Sequence, residues 1–544
     1  MAQHIPFSFF GDGLSVPLVE FDGFPFAEAL DIEGLNVEFL GVVVSEGSSS
    51  VTERGFVWSL GTTPTIADNK VISGSGSGSY SANITFPTLE TSFYIRPYAT
   101  NTEGTSYGDY FGSSFQWDTS YDPVIFSINT TAPAETASPF INSSFLNRSI
   151  NARIDWGDLT AMETSSATTN TVGNITHEYA VAGTYDIRIS GEFPRLGFNP
   201  TYLTEFKQWG TQPWGILYEA FRFCNFLCSA TDIPVFNKTD LNAGYTGAST
   251  GGGISFMFEQ TGALFTGVPN INSWDVSNIN NIFGVFSYSS AFNSDISNWI
   301  PSTWSSSAPW NDYVNLSSLF SNSNYNQNLD LLDVSNVTNM SSMFTNTDLT
   351  TSGSSYSAWD ISNVTSFNSM FSGASYIPTG IGSWTFGISK QVTLSGMFSG
   401  STGTIPDITG WDTSGIRSFS SMFSSTDFNQ DISGWNMTGI NSGNAFGVFL
   451  SSMFWNNTAF NKDISTWDIT NVRFASNFML GVTTFSTINY DSLLIGWEAQ
   501  LPGNWANLTI DFGSSQYTLG GPAETARTSL INIYGWTITD GGGI

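Results

Sequence analysis

Trp359-Asp360-Ile361-Ser362-Asn363-Val364, running on to Met370-Phe371, is one copy of a phrase that this chain repeats. The phrase returns as Trp411-Asp412-Thr413-Ser414-Gly415-Ile416 with Met422-Phe423. The second residue of the closing pair falls at Phe258, Phe286, Phe320, Phe344, Phe371, Phe398, Phe423, Phe454 and Met479. With Phe221 counted as an earlier, irregular turn, the steps run from 24 residues (Phe320 to Phe344) to 37 (Phe221 to Phe258). A period in this range signals a solenoid, in which each repeat buries its apolar face only by stacking on its neighbours.

Within one copy, Asp333 to Phe344 places Val337, Met340 and Phe344 at i, i+3 and i+7, which predicts a short helix capped by a Ser or Asp. Phe428-Asn429-Gln430-Asp431-Ile432-Ser433-Gly434-Trp435 predicts a brief strand with Phe428, Ile432 and Trp435 inward. Recurring Met and Phe at this spacing are core. Asp275, Asp360, Asp412 and Asp468 follow Trp in several copies, and turn capping accounts for them more simply than a calcium ladder. Two repeats are swollen: 34 residues from Phe286 to Phe320, and 31 from Phe423 to Phe454. Insertions in a solenoid project from one face, often the binding face. The first carries Trp304, Trp310 and Tyr313 off the core register. Trp455 stands where sister repeats carry Thr345, Ser372, Ser399 and Ser424. These four aromatics are the candidate ligand-binding residues, since exposed rings stack on sugars and anchor interfaces.

Composition narrows the function further. Only 11% of the 544 residues are charged, yet 45 acidic residues face 15 basic ones, a net charge of −30. Such a surface repels nucleic acid and anionic membrane, so neither is an expected partner. Aromatics at 15% are ample core material, which argues against disorder. No run approaches the ~20 apolar residues of a membrane span. The only histidines are His4 and His177, too few for the usual triads or a His-rich metal site. Cys224 and Cys228 read as buried small hydrophobes. The expectation is a non-enzymatic protein with no catalytic residue, no metal and no cofactor.

Three stretches resemble known modules. Gly55-Phe56-Val57-Trp58-Ser59, Pro64-Thr65-Ile66, the Gly74–Ser79 turn and Arg96-Pro97-Tyr98-Ala99-Thr100-Asn101 resemble the fibronectin type III-like sandwiches of Bacteroidetes surface proteins. Ile154-Asp155-Trp156-Gly157-Asp158, His177-Glu178-Tyr179 and Gly183–Ile189 resemble a PKD-type sandwich. Phe460-Asn461-Lys462-Asp463-Ile464-Ser465-Thr466-Trp467-Asp468 resembles the BspA-like family of leucine-rich repeats, in its Met-Phe and Trp-Asp variant. The resemblance implies a mainly β, multidomain chain: two Ig-like β-sandwiches, then a leucine-rich-repeat-type solenoid with a short strand and short helix per repeat, then a C-terminal α/β cap. The expected boundaries are 1–36 for an N-terminal docking arm, 37–118 and 119–195 for the sandwiches, 196–488 for the solenoid and 489–544 for the cap. In the cap, Pro522 starts a helix over Ala523–Ile533 and Gly535 ends it.

The first residues, Met1-Ala2-Gln3-His4-Ile5-Pro6-Phe7, lack a basic region and apolar run of signal-peptide type. The expectation is therefore a phage virion fibre, spike or decoration subunit. Its arm would meet other virion proteins, and its solenoid a glycan or protein on the host surface. The alternative is a bacterial surface or secreted adhesin whose export signal has been removed. Either setting favours multi-copy display or a homo-oligomer.

Overall fold

The structure is a computed structural model of the 544-residue chain. It describes residues 15–544 apart from 22–25, 29–34, 60–62, 87–93, 109–121, 138–139, 142–149, 159–162, 168–175, 193–195, 216, 238–252, 278, 280, 301–313, 350–352, 388–389, 440–446 and 501–506. The fold is mainly β, with two α-helices among the described residues and a β-solenoid of about 12 turns. The chain divides into two compact units, residues 1–123 with 153–163, and 124–152 with 164–544.

The first unit holds β1 (Leu18–Phe21), β2 (Phe26–Glu28), β3 (Leu35–Ser45), β4 (Glu53–Ser59), β5 (Asn69–Ile72), β6 (Gly78–Phe86), β7 (Tyr94–Asn101) and β8 (Gly104–Tyr107). They form two four-stranded sheets: β3 pairs with β1, β2 and β6, while the second runs β5-β4-β7-β8. Both sheets feed one core of Val19, Phe39, Val43, Val51, Phe56, Tyr80, Ile84, Ile95 and Ala99. Arg54 locks the Gly-Ser turn by donating to the carbonyls of Gly76, Ser77 and Gly78 at 3.1, 2.8 and 3.0 Å. The stretch expected as an arm is partly built in: β1 and β2 pair antiparallel with β3, and Val19 sits in the core. On β1, Val19 points into the core while Leu18 and Glu20 on either side of it are exposed. Residues 1–14 of the arm lie outside the described residues.

In the second unit, β9 (Val124–Thr130) lies between β10 (Gly183–Glu192) and β11 (Leu203–Gln208), antiparallel to both. Lys207 on β11 reaches both oxygens of Asp186 on β10 at 2.8 and 2.9 Å, and Ser127 on β9 donates to the same carboxylate at 2.6 Å. Burial opposes ionisation there, but the Lys207 ammonium and the Ser127 hydroxyl prevail and hold the Asp186 carboxyl below its usual range. β12 (Leu227–Cys228) then adds to β11 in parallel. That pairing converts an antiparallel sheet into a stack of coils. Cys224 and Cys228 are both buried and unbridged, and burial pushes each thiol up to about 12.

Parallel pairing continues up the solenoid. It runs through Val314–Asn315, Val337–Asn339, a bridge at Ser366, then Val392–Thr393, Ile416–Ser418, Val448–Phe449 and Val472–Phe474. The strand of each coil thus falls on the Val-Thr-Asn segment where a helix was expected. The Phe428–Trp435 stretch expected as a strand is irregular. Both expectations are corrected, although Phe428, Ile432, Trp435, Val337, Met340 and Phe344 are all buried as read.

Backbone geometry supplies the reason. Numbering each coil from its Phe, positions −2 and +2 take left-handed φ in coil after coil: Ser318 and Asn322 (56° and 56°), Ser342 and Asn346 (56° and 52°), Ser369 and Gly373 (54° and 67°), Ser452 and Asn456 (56° and 54°). A left-handed residue every fourth position ends any α-helix. It also turns alternate N–H groups out of the coil. Ser342, Phe344 and Asn346 donate to the carbonyls of Asn368, Met370 and Ser372 in the next coil, at 2.7, 3.0 and 2.8 Å. Their neighbours Met343, Thr345 and Thr347 donate back within their own turn, to Met340, Ser342 and Phe344. The backbone is therefore satisfied without helix or long strand. At Gly373 a Cβ would also overlap the Asn346 side chain of the coil before, so only glycine fits both the φ and the space.

Inside the coils the aromatic residues form columns. The rings of Phe258, Phe286, Phe320, Phe344, Phe371, Phe398, Phe423 and Phe454 stack with centroids 5.7–6.1 Å apart. A second column is tied by its indoles: Trp359, Trp384, Trp411 and Trp467 donate Nε1–H to the carbonyls of Leu329, Tyr356, Ile381 and Ile432 at 2.8–3.0 Å.

The Asp that follows Trp closes its own turn. Asp275, Asp360, Asp412 and Asp468 each accept from the backbone N–H two residues on, at 3.0–3.1 Å. The Ser362 backbone N–H, with its hydroxyl, holds the Asp360 carboxyl below the usual range. A depressed folded-state pKa stabilises above the unfolded value, near ~4, and that stabilisation is lost as pH falls through the folded value. Asp360→Asn keeps an acceptor but removes the charge. Wild type is expected to melt slightly above D360N at neutral pH, and the gap to shrink as pH falls through the carboxylate range in paired thermal melts. A gap independent of pH would contradict this account.

Residues Met479 onward continue the coil pattern. Met479 and Phe512 donate to the carbonyls of Asp511 and Thr539 at 2.7 and 2.8 Å. The strands Thr509–Asp511 and Thr537–Thr539 pair in parallel. α1 (Thr487–Glu498) and α2 (Pro522–Asn532) complete these last coils, and Pro522 opens α2 as expected.

Candidate functional site

Positions −5, −3, −2, +1 and +2 of each coil lie along the hydrogen-bonded band just described. In the coils of Phe320, Phe344, Phe371, Phe398 and Phe423 they carry only Ser, Thr, Asn or Gly. From the coil of Phe286 to that of Met479, none of these positions is charged, on a chain with 45 acidic residues. The acidic side chains recur instead at position −11, as Asp275, Asp333, Asp360, Asp412 and Asp468. Hydroxyls of the band bond along the stack: Ser341 to Ser366 and Ser395 to Ser418 at 2.7 Å, and Thr345 to the Ser369 carbonyl at 2.6 Å. The Asn346 side-chain amide donates to Asn322 at 2.9 Å. The result is a pre-ordered floor of hydroxyls and amides that presents hydrogen-bonding groups rather than charge.

Trp455 is 43% exposed at position +1 on this floor. Ser424 holds the same position one coil earlier and is buried, whereas Leu480 holds it one coil later and is 40% exposed. The Trp455 backbone is fixed on both sides, its N–H donating to Ser452 at 3.0 Å and its carbonyl accepting from Ser425 at 2.7 Å. The ring thus stands on a rigid base. Trp304, Trp310 and Tyr313 lie outside the described residues, so of the four expected residues the structure places Trp455.

A second group escaped sequence reasoning. Position −5 carries Ser366, Thr393 and Ser418, then switches to Phe449 and Phe474. Their rings stack at 4.8 Å with 6° between planes, and Phe474 is 52% exposed. The Arg417 guanidinium lies 5.3 Å from the Phe449 ring centroid, a cation–π distance. It also donates to the Gln391 side chain at 3.0 Å. Comparing sister positions, which singled out Trp455, would have found these two rings as well.

His177 packs edge-on against Tyr179 with centroids 4.7 Å apart. Among the described residues, no group of three or more His, Cys, Asp or Glu side chains is placed to hold a metal ion. No helix among them is long and apolar enough to cross a membrane.

The repeats match a family model described as a Mycoplasma protein of unknown function, DUF285, over residues 252–384, 314–435 and 392–493. No curated protein and no solved structure matches the chain.

Proposed function

We propose that this chain is a non-enzymatic display and binding protein whose solenoid engages a glycan or protein on a cell surface through the uncharged band and Trp455. The observation that carries the reading is an exposed indole on a rigid coil, set in a column that from the coil of Phe286 onward is otherwise filled by Ser and Thr, with a single Leu at the C-terminal end. Exposed aromatics with fixed backbones bind at low entropic cost.

The proposed setting is a phage particle, with the chain as a fibre, spike or decoration subunit present in many copies. The two-sheet first unit supports the fibronectin type III-like part of this reading: its second sheet, β5-β4-β7-β8, has the order C′-C-F-G of Ig-type sandwiches. The β9–β11 sheet would correspond to the PKD-like module, and the coils to a BspA-like solenoid in which a left-handed turn replaces the helix. A bacterial surface adhesin is the second reading, favoured by the match to a family described from Mycoplasma, a cellular source.

Mass spectrometry of particles purified from a lysate, against the envelope and medium of uninfected cells, separates the two settings. Abundant peptides in the particle place the chain on a virion; peptides confined to uninfected cells sink that setting. For the binding face, Trp455→Ala is expected to weaken adhesion to the target cells by about tenfold. The melting curve should stay unchanged, because the ring is exposed. Unaltered adhesion would remove Trp455 from the site.

A further inference from the structure

We infer that the first coils of the solenoid hold a binding site for a neutral glycan, a sugar chain without carboxylate or sulfate groups, built around Phe223, Tyr288 and the ion trio Glu219, Arg222 and Glu259. The site lies at the end of the band away from Trp455 and stands without that residue. Backbone strain marks it first. From the coil of Phe320 to that of Met479, positions −2 and +2 carry only Ser, Asn or Gly. In the coils of Phe221, Phe258 and Phe286 the same left-handed positions carry Glu219, Phe223, Phe256, Gln260 and Tyr288, with φ between 54° and 64°. A bulky side chain is costly at positive φ, and conformers of this kind gather at ligand sites. The later coils show that the turn itself needs only small residues, so these side chains serve something other than the turn.

The rings are exposed and their backbones fixed. Phe223 and Tyr288 are 48% and 53% exposed. Their N–H groups donate to the Glu259 and Ser321 carbonyls at 3.0 and 2.8 Å, and that of Gln260, in the coil between, to the Ser287 carbonyl at 2.8 Å. Two coil spacings, roughly 10 Å, separate the two rings, which leaves each a sugar unit with the Gln260 amide between them. Phe256 is half-buried and edge-on to Phe283, with centroids 4.8 Å apart. It reaches across Gly284, at φ +60°, where a Cβ would come within 2.9 Å of its ring.

Beside the rings lies a set of paired charges. The Arg222 guanidinium lies over Phe223 and Phe256, its Cζ 4.7 and 5.4 Å from their centroids. It pairs with Glu219 and, at 2.5 Å, with the buried Glu259. Two carboxylates already hold this cation, so the trio offers no net positive charge to a polyanion, which a chain of net charge −30 repels in any case. Arg222 and Glu219 remain partly exposed and still present donors and acceptors. A sugar hydroxyl both donates and accepts, so it meets guanidinium and carboxylate alike, while the apolar faces of the sugar lie on Phe223 and Tyr288. A protein partner fits less well, because the core of a protein interface is depleted in charged groups and this trio would be dehydrated at its centre.

The test is affinity electrophoresis of the full chain in gels containing laminarin, mannan, galactomannan or xyloglucan as neutral polymers, with polygalacturonate as the anionic one. Retardation by at least one neutral polymer, and none by polygalacturonate, is expected. Phe223→Asn with Tyr288→Asn installs the residue type that Asn322, Asn346 and Asn456 supply at position +2. This double variant should weaken the interaction at least about tenfold without lowering the melting curve. Trp455→Ala should leave the retardation unchanged. The inference is overturned if none of the neutral polymers retards the chain, or if the double variant is retarded as strongly as wild type. A double variant that melts well below wild type would make the rings structural and overturn it too. Loss in Trp455→Ala alone would move the glycan to the other end of the band, so that this site falls while the display reading stands. If cells treated with periodate, which cleaves sugar diols, still bind wild type but not the double variant, the patch takes a protein and the inference falls as well.

Discussion

Phe371→Ala is expected to lose about 3–5 kcal/mol of stability, the range for removing a buried aromatic ring. Phe371 is fully buried, stacked between Phe344 at 5.7 Å and Phe398 at 6.1 Å, near-parallel to both. Removing it opens a cavity and breaks the contact with two neighbours at once. In a stack where each coil is held only by the coils beside it, the loss falls on two interfaces together. Denaturant unfolding should therefore show a lowered midpoint, with the coils on either side of the lesion separating into distinct transitions. Phe474→Ala supplies the contrast. That ring belongs to a stacked pair as well, but it is half exposed, so its removal is expected to stay within about 0.5 kcal/mol. A loss under about 1 kcal/mol for Phe371→Ala would mean that the Phe column is not what holds the coils together.

Asp540→Ala is expected to be comparably severe, about 3–5 kcal/mol, but confined to the C-terminal coils. The Asp540 side chain is only 3% exposed and pairs with Arg527. It accepts from Arg527 Nε at 2.7 Å, Arg527 Nη2 at 3.2 Å, the Tyr490 hydroxyl at 2.6 Å and the Gly542 N–H at 3.1 Å. Tyr490 comes from α1, Arg527 from α2, and Asp540 follows the last strand, so one carboxylate joins three elements of the cap. Burial, with Asp540 beside it, pushes the Tyr490 hydroxyl far above its ordinary range, so it stays a donor at every working pH. Substitution by Ala strands a partly buried guanidinium and a buried phenol. Hydrogen exchange should then accelerate at Thr509–Asp511 and Thr537–Thr539, while the coil of Phe344 keeps its protection. Asp540→Asn, which still accepts hydrogen bonds, should lose less. Uniform acceleration along the whole solenoid would show that the cap governs the stability of every coil.

The candidate site was legible where a column broke its own rule. Trp455 stood out because its sisters are Thr345, Ser372, Ser399 and Ser424. Phe449 and Phe474 obeyed the same logic one column over, against Ser366, Thr393 and Ser418, but a Phe among many core Phe residues carries no label in sequence. Only burial separates them, with Phe474 half exposed and Phe454 fully buried five residues after Phe449. Arg417 was likewise hidden, since its place over Phe449 depends on stacking coils that bring together residues 32 apart in sequence.

By itself the sequence determined the period, the inward residues and the turn-capping role of the aspartates, because these follow from chemistry that recurs locally. Val337, Met340 and Phe344 must be buried wherever the chain goes, and Asp360 reaches an N–H only two residues away. It also determined α2, whose Pro522 start needs no distant partner. Tertiary structure alone decided that Val337–Phe344 is a strand followed by left-handed turns rather than a helix. The apolar spacing of the two is the same, and the choice rests on whether Ser342, Phe344 and Asn346 donate within the coil or to Asn368, Met370 and Ser372 in the next. That hydrogen-bond partner exists only once the coils are stacked. The same stacking turned scattered Ser, Thr and Asn into a continuous band and brought Arg417 over Phe449.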